Sequence, residues 1–102
     1  MKTSAEGDMA ETLARVLEGF EGTPTLRRLR LRVREIGAND HDELAQFHLL
    51  QRACREDPAL AAAFEQAGLG AVAELHLGGA GRRMGDLVQA FNRMVEAHWE
   101  ER

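Results

Sequence analysis

Apolar residues recur every three or four positions along most of this chain, which is the spacing of one face of an α-helix. In the first such segment the apolar positions are Met9, Leu13, Val16, Leu17 and Phe20. Asp8 and Glu11 have the spacing of a helical capping box, in which each side chain bonds a free backbone N–H. A helix is therefore predicted from this point, with residues 1–7 as a flexible tail.

The second segment fits two different structures. Residues 28–34 alternate strictly between arginine and an apolar residue, as a half-buried strand does. A helical wheel instead places Leu31 among the arginines. The opposite side of that wheel carries Leu26, Leu29, Val33 and Ile36. Because Thr23–Pro24 is typical of a helix start and Gly37 of a helix end, we predict a helix; the strand alternative needs two copies paired across a dimer.

The second half of the chain predicts two or three more helices and a loop. A capping box at Asp40 and Glu43 begins a helix that is apolar on two sides, which is typical of a central position or of a position at an interface. Asp57–Pro58 ends that helix and begins a short one, which runs through Gly68. A short apolar piece then leads to residues 78–81, a glycine-rich loop.

The last segment has the most regular pattern of the chain. Its apolar stripe consists of Met84, Leu87, Phe91, Met94 and His98, spaced alternately by three and four residues. With 102 residues the chain fits one domain. The fold class predicted is all-α, a small single-domain bundle of five to six helices over residues 1–102.

The composition predicts the kind of core and the cellular location of the protein. Only four Phe, one Trp and no Tyr are present, so the core is expected to be aliphatic. The single cysteine, Cys54, cannot form an intramolecular disulfide, and the N-terminal residues lack the pattern of a secretory signal. No apolar run approaches the roughly 20 residues that span a bilayer. A cytoplasmic protein without membrane association is expected.

Candidate catalytic and metal-binding groups are sparse. No two of the four histidines have the helical spacing of three or four residues that lets a pair hold one metal ion. Cys54 lies on an apolar helix side, where burial is expected and reactivity is not. We expect no enzyme activity, no metal and no cofactor. A weak anion site is predicted where Gly79 and Gly81 precede Arg82 and Arg83 at a helix start.

Charge is distributed unevenly, because residues 23–38 carry five arginines in a chain whose formal net charge is −4. The simplest interpretation is a solvated face whose arginines pair with Glu11, Glu18 or Glu43. An apolar residue ringed by arginine is also the composition of an interface hot spot. We predict partner-binding residues at Arg28, Arg30, Leu31, Arg32, Arg34, Leu49, Leu77 and Trp99.

The predicted function is therefore that of a small regulatory or adaptor protein. It would bind another protein stoichiometrically at an acidic surface, for example to inhibit a transcription regulator, and would form a homodimer. One alternative is a helical domain that senses a small molecule in a pocket lined by Phe47, Phe64, Met84, Phe91 and Met94. The other is nucleic-acid binding through the arginine helix, although the acidic net charge disfavours it.

Overall fold

The protein is a bundle of α-helices. The structure, a computed structural model, describes residues 5–36, 43–75 and 82–99. In these ranges the helices are α1 (Ala5–Glu18), α2 (Pro24–Ile36), α3 (Glu43–Glu56), α4 (Pro58–Gln66) and α5 (Arg82–Met94). A 3₁₀ turn, Val72–Glu74, precedes α5, and a π-helical turn, Val95–Trp99, continues it. The same ranges contain no strand, so the all-α prediction is confirmed.

Helix α2 begins as its sequence predicts. The Thr23 hydroxyl accepts a hydrogen bond from the Leu26 backbone N–H at 3.3 Å and donates one to the Phe20 carbonyl at 2.7 Å. Pro24 occupies the first helical position, where its missing N–H costs no intrahelical bond. The strand alternative for this segment is therefore wrong, while Gly37 lies outside the described residues.

Helix α4 is closed at both ends by predicted residues. The Asp57 carboxylate accepts a hydrogen bond from the Ala59 N–H at 3.1 Å and caps the helix start. At the other end Gly68 adopts a φ of 88°, which lets the Leu69 N–H reach back to the Phe64 carbonyl at 3.0 Å. The chain thereby reverses direction after two and a half turns of helix.

Helix α1 begins earlier than predicted. It starts at Ala5, so residues 5–7 are helical and Asp8 lies inside the helix instead of capping it. Ala5 and Glu6 favour helix and Gly7 disfavours it, so intrinsic propensity alone does not explain these three added residues. Residues 1–4 lie outside the described residues, as do Asp40 and the glycine-rich loop at 78–81.

One hydrophobic core joins the helices, with α3 at its centre. Helix α3 packs against α2, α4, α5 and the 3₁₀ turn, while α1 packs mainly against α5. Of the two positions that the sequence allows for α3, central or at an interface, the structure shows the central one. The side chains assigned above to a ligand pocket all belong to this core and are at most 1% exposed: Phe47, Phe64, Met84, Phe91 and Met94.

The π-helical turn changes which side chain reaches the core at the end of α5. The regular stripe predicts that His98 faces inward, but His98 is exposed. A π turn places residues five apart, not four, in register. Trp99 consequently takes the inward position, where its ring meets Phe91 edge to face with centroids 5.9 Å apart.

A buried amide fastens the 3₁₀ turn to α3. Gln51 is 2% exposed, and its Nε2 donates to the carbonyls of Val72 at 3.0 Å and Leu75 at 2.9 Å. Both Nε2 hydrogens are then used, so Gln51 Oε1 is an acceptor and His48 Nδ1, 3.0 Å away, donates to it. Within the described residues no buried side-chain N or O atom lacks a partner.

Candidate partner-binding site

Helix α2 has an apolar side in the core and a charged side in solvent. Leu26, Leu29 and Val33 are buried, as the helical wheel predicts. Leu31, which projects from the opposite side, is 52% exposed. Among the described residues it is the one large hydrophobic side chain classed as exposed, because any helix that buries the other three must turn Leu31 outward.

Leu31 has four neighbours at helical spacings, and one of them, Glu35, is a carboxylate that follows it by four residues. The other three are arginines: Arg27 and Arg28 precede Leu31 by four and three residues, and Arg34 follows it by three. All three are exposed, and none forms an ion pair within the described residues. We call these four residues, Arg27, Arg28, Leu31 and Arg34, the outer face of α2.

A groove runs along one edge of the outer face. Its volume is about 290 Å³, and it lies between α2 and the turn that joins α1 to α2. The lining residues are Glu21, Gly22, Leu26, Arg27, Arg30, Leu31 and Arg34. The groove thus combines an apolar floor with a rim that carries three guanidinium groups and one carboxylate.

Arg30 has a different environment from the arginines of the outer face. Its Nη1 lies 3.1 Å from Glu21 Oε2, and its Cζ lies 5.3 Å from the centroid of the Trp99 ring. The second distance is within the range of a cation–π contact. Arg30 therefore links α2 to the α1–α2 turn and to the π-helical turn at the end of α5.

The other four predicted partner-binding residues differ in their surroundings. Arg32, on the flank of α2 opposite Arg30, is half-buried and forms no ion pair among the described residues. Leu49 is half-buried and packs against the core. Trp99 is brought to Arg30 by the fold, while Leu77 lies outside the described residues.

The predicted anion site falls largely outside the described part of the chain. Gly79 and Gly81 precede the first described residue of α5, and the side chains of Arg82 and Arg83 are not among those described. The helix start itself is present, because α5 begins at Arg82. The anion site stays a prediction.

Two residues that matter for this site, Arg27 and Glu21, were not among the predicted site residues. Arg27 belongs to the outer face, and its position four residues before Leu31 was a sufficient signal to include it. Glu21 is the carboxylate that pairs with Arg30, in place of the predicted Glu11, Glu18 or Glu43. No sequence pattern reveals that pairing, because it depends on how the α1–α2 turn folds back onto α2.

Cys54 occupies the setting of a structural thiol. It is 2% exposed, and burial, reinforced by the charge of Asp57, raises its pKa from 9.0 to about 12, although Arg55 acts in the opposite direction. A thiol with so high a pKa carries almost no thiolate at neutral pH. The described residues also contain no group of three or more His, Cys, Asp or Glu side chains arranged to hold a metal ion.

Comparison with known proteins yields no relative for this chain. No family model, no curated protein and no solved structure matches it significantly. Among the described helices, none combines the length and apolar character needed to cross a membrane. The described residues form a small all-α domain in which one large hydrophobic side chain, Leu31, is exposed beside three arginines.

Proposed function

We propose that this chain is a small, non-catalytic regulatory or adaptor protein of the cytoplasm that binds an acidic, partly apolar segment of another protein through the outer face of α2. One observation supports this proposal above the others. Leu31 is 52% exposed and lies among three exposed arginines that have no ion-pair partner in the described part of the chain. The single cysteine supports the cytoplasmic location.

The chemistry of the outer face fits a protein partner. An apolar side chain supplies affinity when water leaves it, and a surrounding rim of polar groups keeps water out. Arginine contributes both packing and bidentate hydrogen bonds to carboxylates, which lysine does not match. A partner segment with one apolar residue between acidic ones would therefore satisfy Leu31 and the arginines together.

A second copy of this chain is a poor occupant of the same face. A two-fold axis near Leu31 would bring arginines of one copy close to arginines of the other, for example Arg28 close to Arg34, and like charges in a closed interface are destabilising. Pairing with an acidic surface elsewhere on a second copy would not close on itself. The proposal therefore names a different, acidic protein as the occupant of the outer face, and the homodimer expected from the sequence would have to use another surface.

The two alternative functions have less support. The net charge of −4 works against long-range attraction to nucleic acid, and phosphate contacts give no role to Leu31. The ligand-sensing alternative uses side chains that the structure assigns to the packed core, with exposures of at most 1%. No described feature favours either alternative over protein binding.

A pair of charge substitutions tests the proposal. Leu31→Asp places a carboxylate in the centre of the outer face, while Ala62→Asp places one at an exposed position of α4. We expect both variants to keep the helical circular-dichroism spectrum and thermal midpoint of the wild type. Native mass spectrometry of each protein, tagged and purified from its host at moderate salt, should show one stoichiometric protein partner that only Leu31→Asp loses.

Each other outcome has a defined meaning. A partner retained by Leu31→Asp would exclude the outer face as its binding site. Unfolding of Leu31→Asp would place Leu31 in the core and contradict the exposure on which the proposal depends. Bound nucleic acid that dissociates steeply with salt would assign the arginines to phosphate contacts instead, since such binding weakens as counterions compete.

A further inference from the structure

Arg30 and Glu21 separate two neighbouring grooves. Both residues line the groove beside the outer face, and both also line a second groove of about 140 Å³ between α1, α2 and the π-helical turn. Trp99 and His98 line the second groove from the other side. A movement of the Arg30 side chain therefore changes the lining of both grooves.

Arg30 also completes the row of arginines along the first groove. Arg27 and Arg34 lie three residues before it and four after it, so the three guanidinium groups follow one edge of α2. A helical acidic segment that lies in the groove would meet all three in turn. Two of them are free of ion pairs within the described residues, and only Arg30 must leave an existing contact.

The contacts that hold Arg30 are of the kind that exchange easily. The Arg30 and Glu21 side chains are 39% and 52% exposed, so water screens their ion pair. Exposed ion pairs contribute little to stability, and exposed cation–π contacts are similarly weak. A partner carboxylate that reaches Arg30 from a desolvated position beside Leu31 would compete on favourable terms.

We propose that Arg30 is an exchange switch: an acidic partner on the outer face of α2 withdraws Arg30 from Glu21 and Trp99, and the π-helical turn Val95–Trp99 is thereby loosened. This inference rests on the proposed function. It makes Glu21 an internal competitor of the partner, because Glu21 already occupies the guanidinium that the partner needs. Binding at the outer face of α2 then changes the mobility of the π-helical turn Val95–Trp99.

The single tryptophan makes this exchange measurable in the full chain, because all indole fluorescence comes from Trp99. The probe is a helical peptide of Glu, Leu and Ala with blocked termini. A fluorescein-labelled form serves to measure binding by anisotropy, and the unlabelled form serves to measure the emission of Trp99. We expect saturable binding that Leu31→Asp abolishes. We also expect greater acrylamide quenching of Trp99 along the same binding curve.

Two matched carboxylate substitutions separate the switch from simple electrostatics. Glu21→Gln removes the competitor of the peptide, while Glu35→Gln removes a carboxylate four residues from Leu31 and leaves Arg30 in place. Glu21→Gln should tighten peptide binding by about twofold to fivefold and raise Trp99 quenching before peptide is added, since fivefold is the upper end of what an exposed ion pair contributes. Glu35→Gln should tighten binding less than about twofold and leave Trp99 unchanged.

The outcomes separate the switch from the proposed function. If the peptide binds through Leu31 while Trp99 quenching stays constant, or if the two Gln variants behave alike, the switch is wrong and the binding face stands. If the wild type shows no saturable binding of the peptide, both are overturned. Binding that Leu31→Asp leaves intact would also contradict both, because it would place the peptide elsewhere.

Discussion

Arginines on two parts of α2 have different roles, although the sequence presents them as one run. Arg30, on the flank that faces the π-helical turn, bonds Glu21 and stacks on Trp99. Arg27, Arg28 and Arg34 surround Leu31 on the outer face and have no ion pair within the described residues. The comparison teaches that the number of arginines does not locate a binding site. The proposed site is instead marked by charge that has no ion-pair partner in the described part of the chain, beside a side chain, Leu31, that the fold leaves exposed.

The largest expected effect is the difference in unfolding free energy between alanine variants of the two leucines, Leu29 and Leu31, on opposite sides of α2. Leu29 is 2% exposed and Leu31 is 52% exposed, although they are only two residues apart. Leu29→Ala should lower the free energy of unfolding by roughly 2–5 kcal/mol, because it removes buried methyl groups and leaves a cavity. Leu31→Ala should change it by less than about 0.5 kcal/mol, since no buried contact is lost. Urea denaturation of both variants measures the difference.

Similar losses for the two leucine variants would remove the basis of the comparison. They would mean that Leu31 is packed against another part of the chain and is not presented to a partner. A large loss for Leu29→Ala alone would show that α2 has one buried and one solvated side. In that case the Leu31 variants become clean probes of binding, because their stability matches that of the wild type.

The sequence predicted the helix start and the buried side of α2 correctly, but it did not predict the contacts that Arg30 makes with other parts of the chain. The cap at Thr23, the proline that follows it and the buried stripe of Leu26, Leu29 and Val33 are local features, so they were readable. The same wheel correctly exposed Leu31. The contacts of Arg30 depend on residues nine and sixty-nine positions away, and no local pattern encodes such distances.

Trp99 and Leu49 show the same limit in two other ways. A regular helical period placed His98 inward, but the π-helical turn at the end of α5 gives that position to Trp99. Leu49 counted as surplus on a two-sided helix, but α3 is central, so its second side also packs against the core. Periodicity identifies a face, whereas the number of neighbours that cover it is a tertiary property.

Helix α3 offers a second test of the same inner and outer division, of intermediate size. Cys54 points into the core, whereas Arg52 and Arg55, close to it in sequence, are exposed. Burial raises the Cys54 pKa from 9.0 to about 12, so the folded state keeps the thiol neutral where the unfolded chain would ionise it. The free energy of unfolding should therefore be unaffected by Cys54 below pH 9 and should fall as the pH rises towards 12. By pH 11 the loss should be on the order of 2–3 kcal/mol.

The alkaline window of this chain is unusually free of other titrating groups. The chain contains no Tyr, and its one Lys lies at position 2. Urea midpoints measured from pH 8 to 11 should therefore decline in the wild type, and they should stay nearly flat in Cys54→Ala once its own cavity cost is subtracted. Equal slopes for the two proteins would show that Cys54 ionises normally and that α3 exposes it.

The smallest expected effect distinguishes the two kinds of arginine directly. Arg30→Gln removes the ion pair to Glu21 and the stacking on Trp99, so it should lower the free energy of unfolding by about 1 kcal/mol. Arg34→Gln removes a charge without an ion-pair partner, and the change should stay within about 0.5 kcal/mol. Urea denaturation measures both, with Trp99 emission as the signal. If Arg34→Gln cost as much as Arg30→Gln, the guanidinium of Arg34 would already be engaged within the chain. The outer face would then hold no free charge with which to select an acidic partner, and Leu31 alone would not distinguish such a partner from any other apolar surface.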